Sequence, residues 1–264
     1  MSQGQATSSW LRRIGIGLGT VLLLLVVAGF GACALLSKPR PDGETGPRAD
    51  ALARSIETAV NKEAWARTGA VRWYFGGRNR HLWDRQRMYA RVAWGGDKQV
   101  LLNITTKNGL AFVKSGAEQV GGEAEKKLLA KAYAHWVNDS FWLNPLVKLF
   151  DDGVERKLVS QPDGKSALLI TYGGGGLTPG DSYLWLLDDA SRPRAWRMWV
   201  SIIPLKGIES TWEGWTALPT GAWVATEHRM TGFTLRVSEV AAAATLSELE
   251  PGADPFAALA ASGR

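Results

Sequence analysis

Residues 135–154 read HWVNDSFWLNPLVKLFDDGV, and the way the chain passes through them decides the fold. The stretch opens as the end of an amphipathic helix. Leu128, Ala132 and Trp136 share a helical face with Leu129 and Tyr133, and Glu123 precedes Lys127 in the order that favours an ion pair along a helix. Pro145 then breaks the period, because it has no amide hydrogen and its ring clashes with the preceding turn. Asp151-Asp152-Gly153 turns the chain into a long series of strand-like segments. Trp136, Phe141 and Trp142 stand beside Asn138, Asp139 and Ser140. Such a mixture suits a joint between helix and sheet: the rings fill a core, and the polar groups satisfy backbone left open where helical bonding stops. The same mixture can line a ligand cavity.

Working back toward the N-terminus, Val71, Trp73 and Phe75 alternate with Arg72 and Tyr74, the period of a strand. Met88, Ala90, Val92 and Trp94 alternate in the same way, as do Val100, Leu102 and Ile104. Gly95-Gly96-Asp97 marks a turn, and Asn108-Gly109 predicts a two-residue type I′ hairpin. Before these strands, Leu52, Ile56 and Val60 fall at helical spacing behind Asp50, which is placed to cap the helix.

Working forward, strands are expected over 154–160, 167–172, 182–187, 195–203, 208–215, 222–230 and 233–240, with Gly or Pro at most joints. No βαβ alternation occurs, which argues against a parallel sheet. The pattern predicts an α+β fold: one strongly curved antiparallel sheet, a half-barrel of about ten or eleven strands, with helices over its concave face. This domain would run from 50 to 240. Residues 241–264 are Ala-rich and are expected to be a frayed or loosely docked tail.

Residues 1–13 are polar and end in Arg12-Arg13, and residues 14–36 contain no charged side chain. That second stretch is long enough to cross a bilayer as a helix, and the arginines place the short side in the cytoplasm. Three fates fit it: a retained transmembrane anchor, a cleaved signal peptide, or a lipoprotein signal in which Cys33 is lipidated. Phe30-Gly31-Ala32-Cys33 resembles a lipobox. In each case the domain lies outside the cytoplasmic membrane, on its periplasmic side or, for a lipoprotein, at the outer membrane. Residues 37–49, rich in Pro, Gly and charge, read as a linker.

Composition excludes several functions. Cys33 is the single cysteine, so the chain has no internal disulfide framework, no cysteine-based zinc cluster and no cysteine nucleophile in the domain. Net charge is +6, and the basic residues are scattered rather than interleaved with aromatics, so no nucleic-acid partner is expected. His81, His135 and His228 are far apart and in no metal-ligand spacing, so no metal and no cofactor is expected. Gly173 to Gly176 precede Leu177-Thr178-Pro179 rather than the Lys-Ser/Thr of a phosphate loop. A mobile strand connection fits better. Asp139, Asp151, Asp152 and Asp181 match no calcium loop and suit caps and turns. A hydrolytic site around Asp139 and Asp181 is the weakest functional reading.

The 13 tryptophans weigh most. Core packing explains any one of them. As a group they exceed what a compact core needs, and Trp196 and Trp199 have opposite parity in one strand. Trp73, Trp94, Trp136, Phe141, Trp142, Tyr172, Trp185 and Trp199 are the residues proposed to line a cavity.

Two segments also carry a resemblance. NDSFWLNPLVKLFDDGV and YGGGGLTPGDSYLWLLDD are similar to stretches of bacterial secreted proteins in which Asp-Ser-aromatic-Trp-Leu-x-x-Pro is followed by Asp-x-Gly-Val and then Thr-Pro-Gly-Asp. The matching residues include Asn138, Asp139, Ser140, Trp142, Pro145, Asp151, Gly153, Tyr172, Thr178, Pro179, Gly180 and Asp181. With the leading helix, the meander and the helical insertion, the chain resembles the outer-membrane lipoprotein-sorting fold (LolA/LolB-like). That resemblance implies a sheet-and-helix cavity for lipid or lipoprotein acyl chains and a non-catalytic role at a membrane. The alternative is a cavity-free envelope scaffold that binds a protein partner through an exposed aromatic face.

Overall fold

The structure, a computed structural model, describes residues 35–174 and 176–264. Expectations for residues 1–34, including the anchor and lipidation of Cys33, lie outside the described residues. Among the described residues, no helix is long and apolar enough to cross a membrane.

The protein is α+β, and every strand pairing among the described residues is antiparallel. Alternating segments ahead of residue 121 give β1 (Ala70–Phe75), β2 (Asn79–Asp84), β3 (Tyr89–Trp94), β4 (Lys98–Asn103), β5 (Gly109–Val113) and β6 (Glu118–Val120). After residue 153 come β7 (Val154–Ser160), β8 (Ser166–Tyr172), β9 (Ser182–Leu187), β10 (Pro193–Trp199) and β11 (Ile208–Thr211). Four more follow: β12 (Thr216–Ala217), β13 (Trp223–Val224), β14 (Glu227–Met230) and β15 (Phe233–Ala243). They form an eight-stranded sheet in the order β14-β15-β1-β2-β3-β4-β5-β6, a five-stranded sheet β11-β10-β9-β8-β7, and the pair β12-β13. The expected single sheet of ten or eleven strands is therefore corrected. Short strands and a bulge interrupt the C-terminal half, and β2 was unforeseen.

Helix α1 (Pro47–Ala59) lies on β7 and β8, and the short α2 (Lys62–Arg67) leads into β1. Asp50 does not cap α1; it lies in the first turn and accepts from Arg156 Nε of β7 at 2.6 Å. Residues 37–49 are only partly a linker. Glu44 bridges Leu158 beside β7, and the Lys38 carbonyl accepts from Trp199 Nε1 at 2.8 Å.

Helix α3 (Gly122–Leu143) covers β3, β4 and β5. It stops at Asn144, and Pro145 opens a single 3-10 turn through Lys148. The stop is dictated locally, because proline cannot donate to the next helical bond. One shared apolar layer holds Ala53 and Ile56 of α1, Trp185 of β9 and Trp196 of β10, with Phe141 and Trp142 of α3 packed against it.

The Asn108-Gly109 expectation also fails in detail. The β4–β5 loop runs over residues 104–108, with Lys107 at φ 61, and the Asn103 side chain accepts from the amides of Thr105 and Thr106. Gly109 is needed for another reason: a Cβ there would sit 2.0 Å from the Leu101 carbonyl oxygen.

The tail does not fray. Strand β15 continues to Ala243, and α4 (Leu246–Leu249) and α5 (Ala257–Ser262) follow. Phe256 and Leu259 are fully buried on the face of the eight-stranded sheet away from α3, against Leu82, Leu101 and Leu110.

Candidate functional site

The C-terminal half of α3 presents Tyr133, Trp136, Val137, Ser140 and Phe141 along one side, a stripe set by helical periodicity. That side does not close onto the sheet. A cleft of about 570 Å³ remains between α3, the β8–β9 loop and the segment after β10. Its volume falls within the ordinary range for small-molecule sites.

The floor is aromatic. Phe141 meets Tyr172 edge-on at 5.3 Å between ring centroids, Tyr183 at 5.1 Å and Trp196 at 6.0 Å. Trp142 meets Trp196 at 4.7 Å, and Trp196 in turn packs at 4.9 Å on Trp185 and 5.0 Å on Trp212. The buried tryptophans 185, 196 and 212 form a fixed block behind the cleft. Desolvation on this wall pushes the phenols of Tyr172 and Tyr183 well above their usual range, so both stay protonated.

The outer lip is apolar and open. Leu177 is 52% exposed and Ile202 74% exposed, and both line the cleft. The β8–β9 loop that carries Leu177 is closed at its base: Gly180 N donates to Tyr172 O at 2.7 Å, and Tyr172 N donates to Asp181 O at 3.0 Å. Gly153 (φ 75) turns the chain after α3, and its carbonyl accepts from Gly173 N at 2.9 Å. A Cβ on Gly173 would stand 2.9 Å from that carbonyl oxygen, so the contact requires glycine. These bonds tie the loop to the turn that ends the helical insertion.

Charged groups around the cleft are few. Asp181 is 5% exposed and lines it, with Oδ1 accepting from Ser201 N at 2.8 Å. Lys148 pairs with Asp151 at 3.3 Å on the rim, beside the exposed Asp152.

The eight residues proposed from sequence divide evenly. Trp136, Phe141, Trp142 and Tyr172 line the cleft. Trp73 and Trp94 are buried elsewhere: Trp73 stacks on His81 at 4.4 Å, and Trp94 lies beside His135 at 5.4 Å. Trp185 is buried behind the lining. Trp199 is on the opposite face of β10, with Ala195, Leu184 and Leu186. The motif residues divide as well. Asn138, Asp151, Thr178 and Asp181 line the cleft, whereas Pro145, Gly153 and Gly180 shape the turns around it, with Pro179 in the same loop as Gly180.

Asp139 belongs to a different constellation. It is buried under α3, accepting from His81 Nε2 at 2.7 Å and Asn79 Nδ2 at 2.8 Å on one oxygen. Asn138 Nδ2 donates to the other oxygen at 2.8 Å. This network fixes α3 to β2 and leaves Asp139 no free oxygen for hydrolysis beside Asp181. Burial lowers the pKa of His135 nearby. Among the described residues, no three His, Cys, Asp or Glu side chains are grouped to hold a metal ion.

Sequence reasoning missed Tyr183, Trp196, Met198 and Ile202 as lining residues. A signal existed in β10. Trp199 shares its parity with the charged Arg197, which marks the outer side, and Trp196 shares parity with Met198. No family model matches the chain, and no curated protein matches it either.

Proposed function

We propose that this chain is a non-catalytic binder of a hydrophobic ligand, a lipid or the acyl part of a lipoprotein, held in the cleft between α3 and the sheets. In this reading residues 14–36 direct the chain to a membrane and the domain works outside the cytoplasm. The observation that carries the reading is the cleft itself: an aromatic floor with open apolar lips at Leu177 and Ile202. Burying a methylene contributes about 0.8 kcal/mol, so long acyl chains suit such a slot and short ones do not. Association and ordering costs of about 4–15 kcal/mol oppose this, which makes chain length decisive.

The wider architecture fits the same use. The two large sheets approach where β11 lies against β14, and Glu213 bridges Glu227 there. The LolA/LolB-like resemblance reads these two sheets as one open surface with α1 and α3 on one side, and the contact between β11 and β14 supports that reading. The rival, a scaffold with an exposed aromatic face, has less support. Among the described residues, no tryptophan is exposed, and the exposed large apolar side chains include Leu177 and Ile202 at the cleft.

The test is native mass spectrometry of residues 37–264, exported, purified without detergent and then extracted with organic solvent. Ser37 and Lys38 are retained because both bond to the folded domain. A stoichiometric extra mass that extracts as lipid supports the proposal. Bare protein that also takes up no added long-chain lipid overturns it.

A further inference from the structure

Among the described residues, the cleft wall holds a carboxylate that the fold does not fully use. Asp181 is 5% exposed, yet among the described residues only its Oδ1 is hydrogen-bonded, to Ser201 N. Its Oδ2 has no partner among the described residues, and the side chain belongs to the cleft wall. Solvent still reaches that oxygen through the cleft; a ligand that covers it without supplying a donor leaves a carboxylate oxygen buried and unpaired, which is costly. On the rim, Asp152 is exposed and unpaired among the described residues, whereas Lys148 is already paired with Asp151. Lys206, near the lip, spends its ammonium on the Val200 and Ile203 carbonyls. The cleft thus offers an unfilled acceptor inside and an uncompensated negative charge at its mouth.

We infer that the cleft selects amphiphiles whose polar end donates hydrogen bonds, an amine or a hydroxyl, over those that end in a carboxylate or phosphate. This rests on the reading of the cleft as a lipid site. A carboxylate head would place its oxygens against Asp181 with no proton between them, and would face Asp152 at the rim. The whole chain carries a net charge of +6, which at long range attracts anions. A preference for an amine over an acid therefore has to arise locally.

The experiment uses the full chain, kept soluble in a fluorinated surfactant, and three probes with the same brominated 18-carbon chain: the acid, the primary amine and the glycerol monoester. Each is used below its aggregation threshold. Bromine quenches tryptophan, and Trp136, Trp142 and Trp196 line the cleft. The amine and the glycerol ester should quench at concentrations lower than the acid by about tenfold or more, the size of one charge-assisted hydrogen bond. Asp181→Asn keeps an acceptor for Ser201 N while removing the charge, and should shrink the amine-to-acid ratio several-fold. Asp152→Asn, at an exposed position with no partner to lose, should shrink it by a smaller factor and guards against misfolding of the first variant. Equal quenching by all three probes, an acid preference, or an unchanged ratio in both variants overturns the inference and leaves the lipid reading standing. No quenching by any probe removes the lipid reading itself.

Discussion

Two buried histidines show how single residues hold the frame of the cleft. The Asp139 carboxylate is fully buried and accepts from His81, Asn79 and Asn138. Asp139→Ala strands these donors in an apolar layer, and a broken buried pair costs about 3–5 kcal/mol. The expected result is a loss of that size in the unfolding free energy measured in urea, with acyl binding retained at low temperature by the molecules that remain folded. His228 contributes differently. It packs 4.4 Å from Trp212 and bonds through Nδ1 to the Thr211 carbonyl at 3.2 Å, and burial lowers its pKa from 6.5 to about 4. Its contribution is complete above the unfolded pKa. Between pH 6.5 and 4 the unfolded chain binds a proton that the native one refuses, and stability falls. The loss totals about 3 kcal/mol at pH 4 and below. Unfolding at pH 7.5 and 4.5, compared between wild type and His228→Phe, should show the variant lacking that part of the acid loss. Equal acid losses in both proteins would remove this account of His228.

At the scale of elements, strand β10 makes the sharpest comparison. Trp196 is fully buried in the aromatic block, and Trp199 is half-buried on the other face. Trp196→Ala should destabilise the fold by about 3–5 kcal/mol, the cost of emptying a large buried site. Trp199→Ala should cost clearly less, because solvent fills the space, and it should leave ligand binding unchanged. Reversed magnitudes in chemical denaturation would mean the register of β10 is misread. Alternation makes this strand legible, whereas β7 and β9, whose expected bounds match the observed ones, are marked by the Gly, Pro and Asp turns around them, β9 being buried along its whole length. Strand β2 was hidden for a physical reason. Its inward residues include Asn79 and His81, polar groups that pair with Asp139, while outward-facing Leu82 is covered by the C-terminal segment. Burial on both faces, with polar residues inside, removes the alternation a reader relies on. The tail was misread likewise. Its alanines give no stripe, yet Phe256 and Leu259 anchor it. Phe256→Ala should cost about 3–5 kcal/mol by the same cavity argument.

Across the whole molecule, half of the proposed lining was legible and half was not. Trp136, Phe141 and Trp142 are legible at the helix-to-strand joint, where rings stand beside small polar groups, and Tyr172 through the motif that carries the resemblance. Trp73, Trp94, Trp185 and Trp199 were not separable from them, because a tryptophan in a strand reads the same whether it backs a cavity or fills a core. The lips, Leu177 and Ile202, sit in loops, which carry no period to read. Chain length should govern affinity: each added methylene should tighten binding about fourfold until the cleft is full. A flat series in a titration of homologous amphiphiles would point to surface adsorption.

The most direct test of the central claim is to fill the cleft. Ser140 lines it from α3 and is half-buried, and among the described residues its hydroxyl bonds only to the Val137 carbonyl of its own helix. Ser140→Trp projects an indole into the space a ligand would use. Quenching by a brominated 18-carbon chain should be lost in Ser140→Trp and kept in Trp199→Ala, with the circular dichroism of both variants unchanged. If Ser140→Trp quenches as wild type does while folded, acyl chains do not occupy this cleft, and the account is contradicted.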